Sequence, residues 1–243
     1  VPVALVFDGV TQAVMMATPA DLDDFLLGFA LTEGLIDAPS EILRTEVMAQ
    51  PRGIEARAWL AAPAGARFAA RRRAMAGPVG CGLCGIDSLD QALRVLPRRV
   101  HPATGLPGNA AALAEAALAA LQAAQALHDH VRATHAAAFW TPAEGILALR
   151  EDVGRHNALD KLAGALTRAG IDPGRGAVVM TSRLSVDLVQ KAAMIGAGGL
   201  IAPSAPTALA VTEAQAAGLA LIARGTGGFQ RYTAPDDPQE SAA

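Results

Sequence analysis

AVVMTSRLSVDLVQKAAMIGAGGLIAPSAPTALAVTEAQAAGLALIAR runs from Ala177 to Arg224 and repeats one rhythm. A short apolar run is followed by a polar junction, then by a segment with apolar residues at helical spacing. Ala177–Met180, Gly199–Ala202 and Leu219–Ala223 read as strands. Val186–Ile195 and Thr207–Ala217 read as the helices between them. Strands alternating with helices predict β-α-β units and a largely parallel sheet. One unit upstream, Gly145–Leu149 continues the pattern as a strand and His156–Arg168 as its helix. Phe229–Thr233 adds an edge strand.

The first part of the chain has a different rhythm. Val3–Phe7 and Gln12–Ala17 flank Asp8-Gly9, a hairpin signal. In TPADLDDFLLGFALTEGLI, Thr18 is placed to cap a helix, and Asp21, Asp23 and Asp24 suit its positive end. Leu22, Phe25, Leu26 and Phe29 should face the core. Ile42–Ala49 and Ile54–Ala61 form a second strand pair around Pro51-Arg52-Gly53. The basic stretch Arg67–Met75 is ambiguous, and a helix is expected from Ser88 to Leu96. Asn109 can cap a long alanine-rich helix reaching His130. The expected organisation is an N-terminal α+β part over 1-108, a C-terminal α/β part over 109-233 and a polar, disordered tail over 234-243.

Net charge is −3 over 243 residues, which argues against a broad nucleic-acid surface. Hydrophobic residues make up 52% but aromatics only 4%, so helices should pack closely through alanine. No apolar run reaches membrane-spanning length, and no signal peptide is visible. Lysine occurs only at Lys161 and Lys191, a scarcity that reads as genome composition.

If the strands are parallel, their C-terminal ends share one edge, where open α/β sheets bind ligands. Four junctions would meet there: Arg150–Lys161, Thr181–Ser185, Pro203–Thr207 and Ala223–Gly228. Ser182, Ser185, Ser204 and Thr207 can donate to phosphate, while Arg155, Arg183 and Arg224 can clamp it. Gly225, Gly227 and Gly228 allow close backbone approach. Glu151, Asp152, Arg155 and His156 either perform acid–base work or form a buried ion-pair network. His135 is a ligand, a base or a hydrogen-bonded structural histidine.

GPVGCGLCGI holds Cys81 and Cys84, the only two cysteines. A C-x-x-C pair supports zinc binding, dithiol redox chemistry or sulfur transfer. Zinc would need two more ligands, with His135 and His156 as donors. A zinc deaminase is disfavoured, because Ala136-Ala137 follows His135 where a glutamate is required and the cysteines precede the histidine. Sulfur transfer needs an accessible thiolate on a mobile approach, which the glycines supply.

CGLCG, EDVGRHNALDK, SRLSVDLVQKAA and SAPTALAV, in this order, resemble the formate dehydrogenase accessory sulfurtransferase family, over about Val1 to Thr233. The resemblance implies a cytidine-deaminase-like α/β sandwich, a homodimer and a cytoplasmic location. It implies a sulfurtransferase that takes sulfur from a cysteine desulfurase as a persulfide. Sulfur would pass to the molybdenum bis(guanine dinucleotide) cofactor before insertion into formate dehydrogenase. Cys81 would carry the persulfide, with Cys84 beside it in the catalytic loop. Ile222, Ala223, Arg224, Gly225, Thr226 and Gly227 match the family's cofactor-binding stretch. Arg183, Ser185, Ser204, Thr207, His156 and Arg155 complete the expected cofactor site, and GDP would imitate one arm. No resident metal is expected. The alternative is a non-catalytic chaperone that binds the cofactor and whose cysteines hold zinc.

Overall fold

The computed structural model describes residues 1–74, 96–97 and 106–233. The Cys81–Cys84 loop, the helix expected from Ser88 and the tail from residue 234 lie outside those residues.

Two sheets organise the chain. The first contains β1 (Pro2–Phe7), β2 (Val10–Met16), β3 (Ile42–Gln50) and β4 (Gly53–Leu60), in the order β2-β1-β4-β3. Asp8 and Gly9 both take positive φ, 48° and 77°, as a twisted hairpin turn requires. Helix α1 (Leu22–Thr32) lays Phe25, Leu26, Phe29 and Ala30 against Val3, Leu5 and Phe7 of this sheet. Helix α2 (Ala62–Ala74) closes the same core with Ala64 and Phe68, which settles the ambiguous basic stretch as largely helical.

The second sheet contains β5 (His135–Thr141), β6 (Gly145–Asp152), β7 (Ala177–Met180), β8 (Gly199–Ala202), β9 (Ala220–Gly225) and β10 (Gly228–Arg231). Their order is β10-β9-β8-β7-β5-β6. Helix α3 (Ala110–Ala124) covers one face through Leu113, Ala117 and Leu121; the short helix α4 (Ala126–Val131) follows it. Helices α5 (Arg155–Ala169), α6 (Val186–Met194) and α7 (Ala208–Ala216) share the hydrophobic core on the other face.

Several expectations change. The sheet is mixed rather than largely parallel. Only β7, β8 and β9 pair in parallel, and β5 runs antiparallel to both β7 and β6. The alanine run of β5 concealed this strand. Because β5 reverses direction between them, β6 still points the same way as β7, β8 and β9, so four C-terminal ends do share one edge. Strand β6 extends to Asp152, so Arg150, Glu151 and Asp152 belong to the strand and not to the loop after it. The long helix breaks at Gln125, although Asn109 caps its start through Ala111 and Ala112 as expected. Thr18 caps nothing. Asp21 stands at the N-cap of α1, and Thr18 turns towards β6, donating its backbone N–H to Asp152 at 2.9 Å.

The two sheets are joined where α1 crosses α5. Gly28 lies so close to α5 that a Cβ there would fall 1.7 Å from the Asp160 carbonyl oxygen. A Cβ on Gly164 would fall 2.0 Å from the Asp24 carbonyl oxygen. In both cases the obstacle is backbone, which cannot turn aside as a side chain can. Gly28→Ala should therefore cost about 3 kcal/mol or more, at the upper end for overpacking. Gly227→Ala, which meets nothing within 4 Å, should cost well under about 1 kcal/mol. Urea denaturation of the two variants checks this, and equal stability would contradict the crossing.

Candidate functional site

The register of the second sheet fixes which residues share its edge. Ala137 pairs with Met180, Val179 with Ile201 and Ala202 with Ala223. One step beyond lie Ala136, Thr181, Pro203 and Arg224, and His135 pairs with Asp152. Residues alternate between faces along each strand. Ala220 and Ile222 face α3, so Arg224 shares the α3 face, where its guanidinium lies 4.6 Å over the Phe229 ring. Ala137 and Phe139 face α5, so His135 belongs to that opposite face.

Most of the polar motif that spans the end of β6 and the start of α5 turns out to be structural. Glu151 accepts from the N–H groups of Leu127 and His128 at 2.7 and 2.8 Å, placing a negative charge at the start of α4. It also accepts from the Thr134 hydroxyl at 3.1 Å. Asp152 and Lys161, both 0% exposed, pair at 2.6 Å. Asp152 also accepts from Gly154 N–H and the Asn157 amide, and Lys161 donates to the Thr18 carbonyl. The second lysine behaves alike. Lys191 donates to Asp160 at 2.9 Å, Glu33 at 2.7 Å and Thr32 at 3.1 Å. Burial disfavours the Lys191 charge, but Asp160 and Glu33 outweigh it and hold its pKa above the ordinary value. The buried-network reading prevails for this part of the motif.

His156 and Asp187 form a second link between α5 and α6, through Nε2 and the carboxylate. Burial opposes ionisation of Asp187, yet the hydrogen bond and charge of His156 hold its carboxyl far below the usual range. Asp187 and the Asp160–Lys191 pair were missed in the sequence. Their signal was spacing, since His156 and Asp160 on α5 and Asp187 and Lys191 on α6 are each four apart, on one helix face.

The remaining expected residues divide. Ile222 and Ala223 are fully buried on opposite faces of β9, so neither side chain reaches the edge. Thr207 caps α7 by accepting from Ala210 N–H at 3.3 Å, the ordinary role of such a residue. Ser185 occupies the N-cap position of α6 without capping it through its side chain. Ser204 is half-buried in the loop after β8. Gly225 ends β9, and Thr226 and Gly227 are exposed in the β9–β10 turn. Cys81 and Cys84 lie outside the described residues. No group of three or more His, Cys, Asp or Glu among the described residues is arranged to hold a metal ion. No helix among them is long and apolar enough to cross a membrane.

The arginines at the edge differ from most others. Arg44, Arg57, Arg67, Arg150 and Arg175 each find a carboxylate. Arg155, Arg183 and Arg224 find none among the described residues. Arg52 in the β3–β4 turn and Arg231, which donates to the Leu106 carbonyl, share that lack. Three guanidinium groups with no carboxylate among the described residues, at the start of α5, after β7 and near the end of β9, can clamp oxyanions along this edge.

Removing one partner of the buried pair should be costly. Lys161→Met should destabilise by about 3–5 kcal/mol, because Asp152 is left buried and charged. Arg175→Gln breaks the exposed pair with Glu144 and should change stability by less than about 1 kcal/mol. Chemical denaturation of both variants tests the contrast.

Comparison with known proteins places the chain in a family. The FdhD/NarQ family matches residues 1–237. The sulfur carrier protein FdhD of Agrobacterium fabrum is 52% identical over 237 residues, covering 97% of this chain and 86% of its own. That of Bordetella petrii is 49% identical over 222 residues, covering 91% and 78%. A crystal structure assigned as a formate dehydrogenase accessory protein, from Desulfotalea psychrophila, superposes with a TM-score of 0.65 at 24% identity. It covers 97% of this chain and 87% of its own, and supports the same fold. A match across nearly the whole chain, with about half of the residues identical in these relatives, means that the chain belongs to the FdhD/NarQ family.

Proposed function

We propose that this protein is a sulfur carrier in formate dehydrogenase maturation, loaded by a cysteine desulfurase and unloaded onto the molybdenum bis(guanine dinucleotide) cofactor. The observation that carries the reading is that Arg155, Arg183 and Arg224 stand along this edge with no carboxylate partner among the described residues. It occurs in a chain whose relatives are named sulfur carriers.

The chemistry follows from the residues. In loading, the Cys81 thiolate attacks the terminal sulfur of the donor's persulfide. A new sulfur–sulfur bond forms on Cys81 and the donor leaves as its thiolate. Cys84 assists beside it. The acceptor cofactor is a substrate, and its guanine dinucleotide arms carry pyrophosphate groups. These suit the arginines and the hydroxyl and backbone donors of the β7–α6, β8–α7 and β9–β10 connections. Arg224 on one face and Arg155 on the other would hold a ligand that straddles the edge.

Two measurements test separate parts of this reading. Mass spectrometry after incubation with a desulfurase and cysteine should show one added sulfur atom on the parent protein and none on Cys81→Ala. Sulfur retained by Cys81→Ala would remove that residue from the carrier role. GDP titration by calorimetry should show binding to the parent. Arg224→Glu should weaken it about tenfold, corresponding to about 1.4 kcal/mol, as attraction to a phosphate is replaced by repulsion. Equal affinity in both proteins would remove Arg224 from the site.

A further inference from the structure

His135 stands at the start of β5 with an unusual set of neighbours. Its Nδ1 lies 3.3 Å from the Thr181 hydroxyl oxygen, which also accepts the Ala136 N–H at 3.0 Å. Burial lowers its pKa, and the positive charges of Arg155, His128 and His156 lower it further. The nearby acids are committed elsewhere. Glu151 on β6 accepts from Leu127, His128 and Thr134. Asp152, paired with His135 across the strands, is buried against Lys161. Asp187 on α6 holds His156. His128 on α4 directs Nδ1 at the Thr134 carbonyl, so that nitrogen carries the hydrogen. Arg155 opens α5 three residues beyond Asp152, the cross-strand partner of His135, and His128 reaches the carbonyl of the adjoining Thr134, so basic groups gather around His135 while the carboxylates near it serve other partners. Like charges assembled this way are relieved by an anion between them.

We propose that His135 and Arg155, flanked by His128 and His156, form an oxyanion subsite in which the imidazole takes up a proton as a phosphate-type dianion binds. The subsite rests on the reading that this edge receives the phosphate groups of a nucleotide, and it assigns His135 a place there. Arg155 supplies a permanent charge. His135 supplies one only when the anion is present, so the free site avoids part of the repulsion. Binding and protonation are then reciprocal: the dianion favours the imidazolium, and the imidazolium tightens the dianion. The sign is fixed by the free-state shift. The free imidazole is mostly neutral near pH 7, so affinity rises as pH falls, across the range where histidine titrates.

Sulfate is a suitable probe because it stays a dianion throughout that range. Calorimetry should show sulfate affinity rising about threefold or more from about pH 8 to about pH 5.5. His135→Gln should lose most of that rise. Nuclear magnetic resonance on the parent provides a measurement that needs no variant. The ring C–H signals of His135, identified by their loss in His135→Gln, should titrate at higher pH with sulfate than without it. Arg155→Gln should weaken sulfate binding and raise the sulfate-free His135 titration. An unchanged pH dependence in His135→Gln, or a His135 titration that sulfate does not move, would overturn the subsite. GDP titration at pH 8 separates this outcome from failure of the functional reading. GDP binding that persists at pH 8 beside a sulfate-insensitive His135 refutes only the subsite, whereas loss of all GDP binding by the parent refutes both.

Discussion

Helix α1 meets helix α5 backbone to backbone, and the rest of the molecule is arranged around that contact. Gly28 and Gly164 remove the side chains that would hold the helices apart. Closeness alone would be a weak specification, because small residues also slide. The two lysines fix the register. Lys161 lies 5.7 Å above the Phe25 ring and donates to the Thr18 carbonyl just before α1, while Lys191 lies 5.4 Å above Phe29, pairs with Glu33 at the end of α1 and with Asp160, and Asp160 accepts from the Thr32 hydroxyl at 2.6 Å. A buried charge without its partner is so costly that a crossing displaced by one turn is disfavoured far more than an apolar contact would make it. The joint thus sets how the first sheet, carried on α1, sits against the helices of the second.

The same joint positions the edge. Asp160 and Lys161 lie in the second turn of α5, and Arg155 and His156 in its first. Locking the middle of the helix therefore aims its beginning at the strand ends. Lys191 does the same for α6, whose first turn carries Asp187 and so holds His156 from the other side. The motif EDVGRHNALDK spans both tasks. Glu151, Asp152, Asn157, Asp160 and Lys161 are absorbed into structure, and Arg155 and His156 remain at the edge.

Much of this was legible in the residues, and the parts that were not share a physical cause. The hairpin at Asp8-Gly9, the Asn109 cap and the alternation from Ala177 onward are local signals, and each element formed close to where they placed it. Strand β5 failed because HAAAFWT carries three alanines in a row, which have little strand preference of their own and become a strand by filling the space between β6 and β7. Thr18 failed as a cap because its hydroxyl accepts from a distant partner, the Val153 N–H, instead. Lysine scarcity was read as composition, yet both lysines proved to be buried ion-pair partners. Tertiary pairing of this kind leaves only a faint mark on the sequence: a glycine inside a helix at Gly28, or charges four apart on two helices.

Division of labour between the joint and the edge has a consequence for how the protein can carry a reactive cargo. A binding edge for a large, multiply charged ligand needs cations held in place without carboxylates to neutralise them, and such an arrangement repels itself. Local contacts at Arg155, Arg183 and Arg224 offer little compensation, since no ion pair steadies these side chains among the described residues. The stability must come from elsewhere in the same elements. It comes from the saturated interior of the joint, where every lysine is paired, and from the core that α5, α6 and α7 share on the sheet. The helices that begin at the unsatisfied edge are the ones most firmly fixed one or two turns further on. The repulsion at the edge is thus tolerated by a scaffold that cannot easily relax it away, and under the proposed function it is what an incoming anion would relieve.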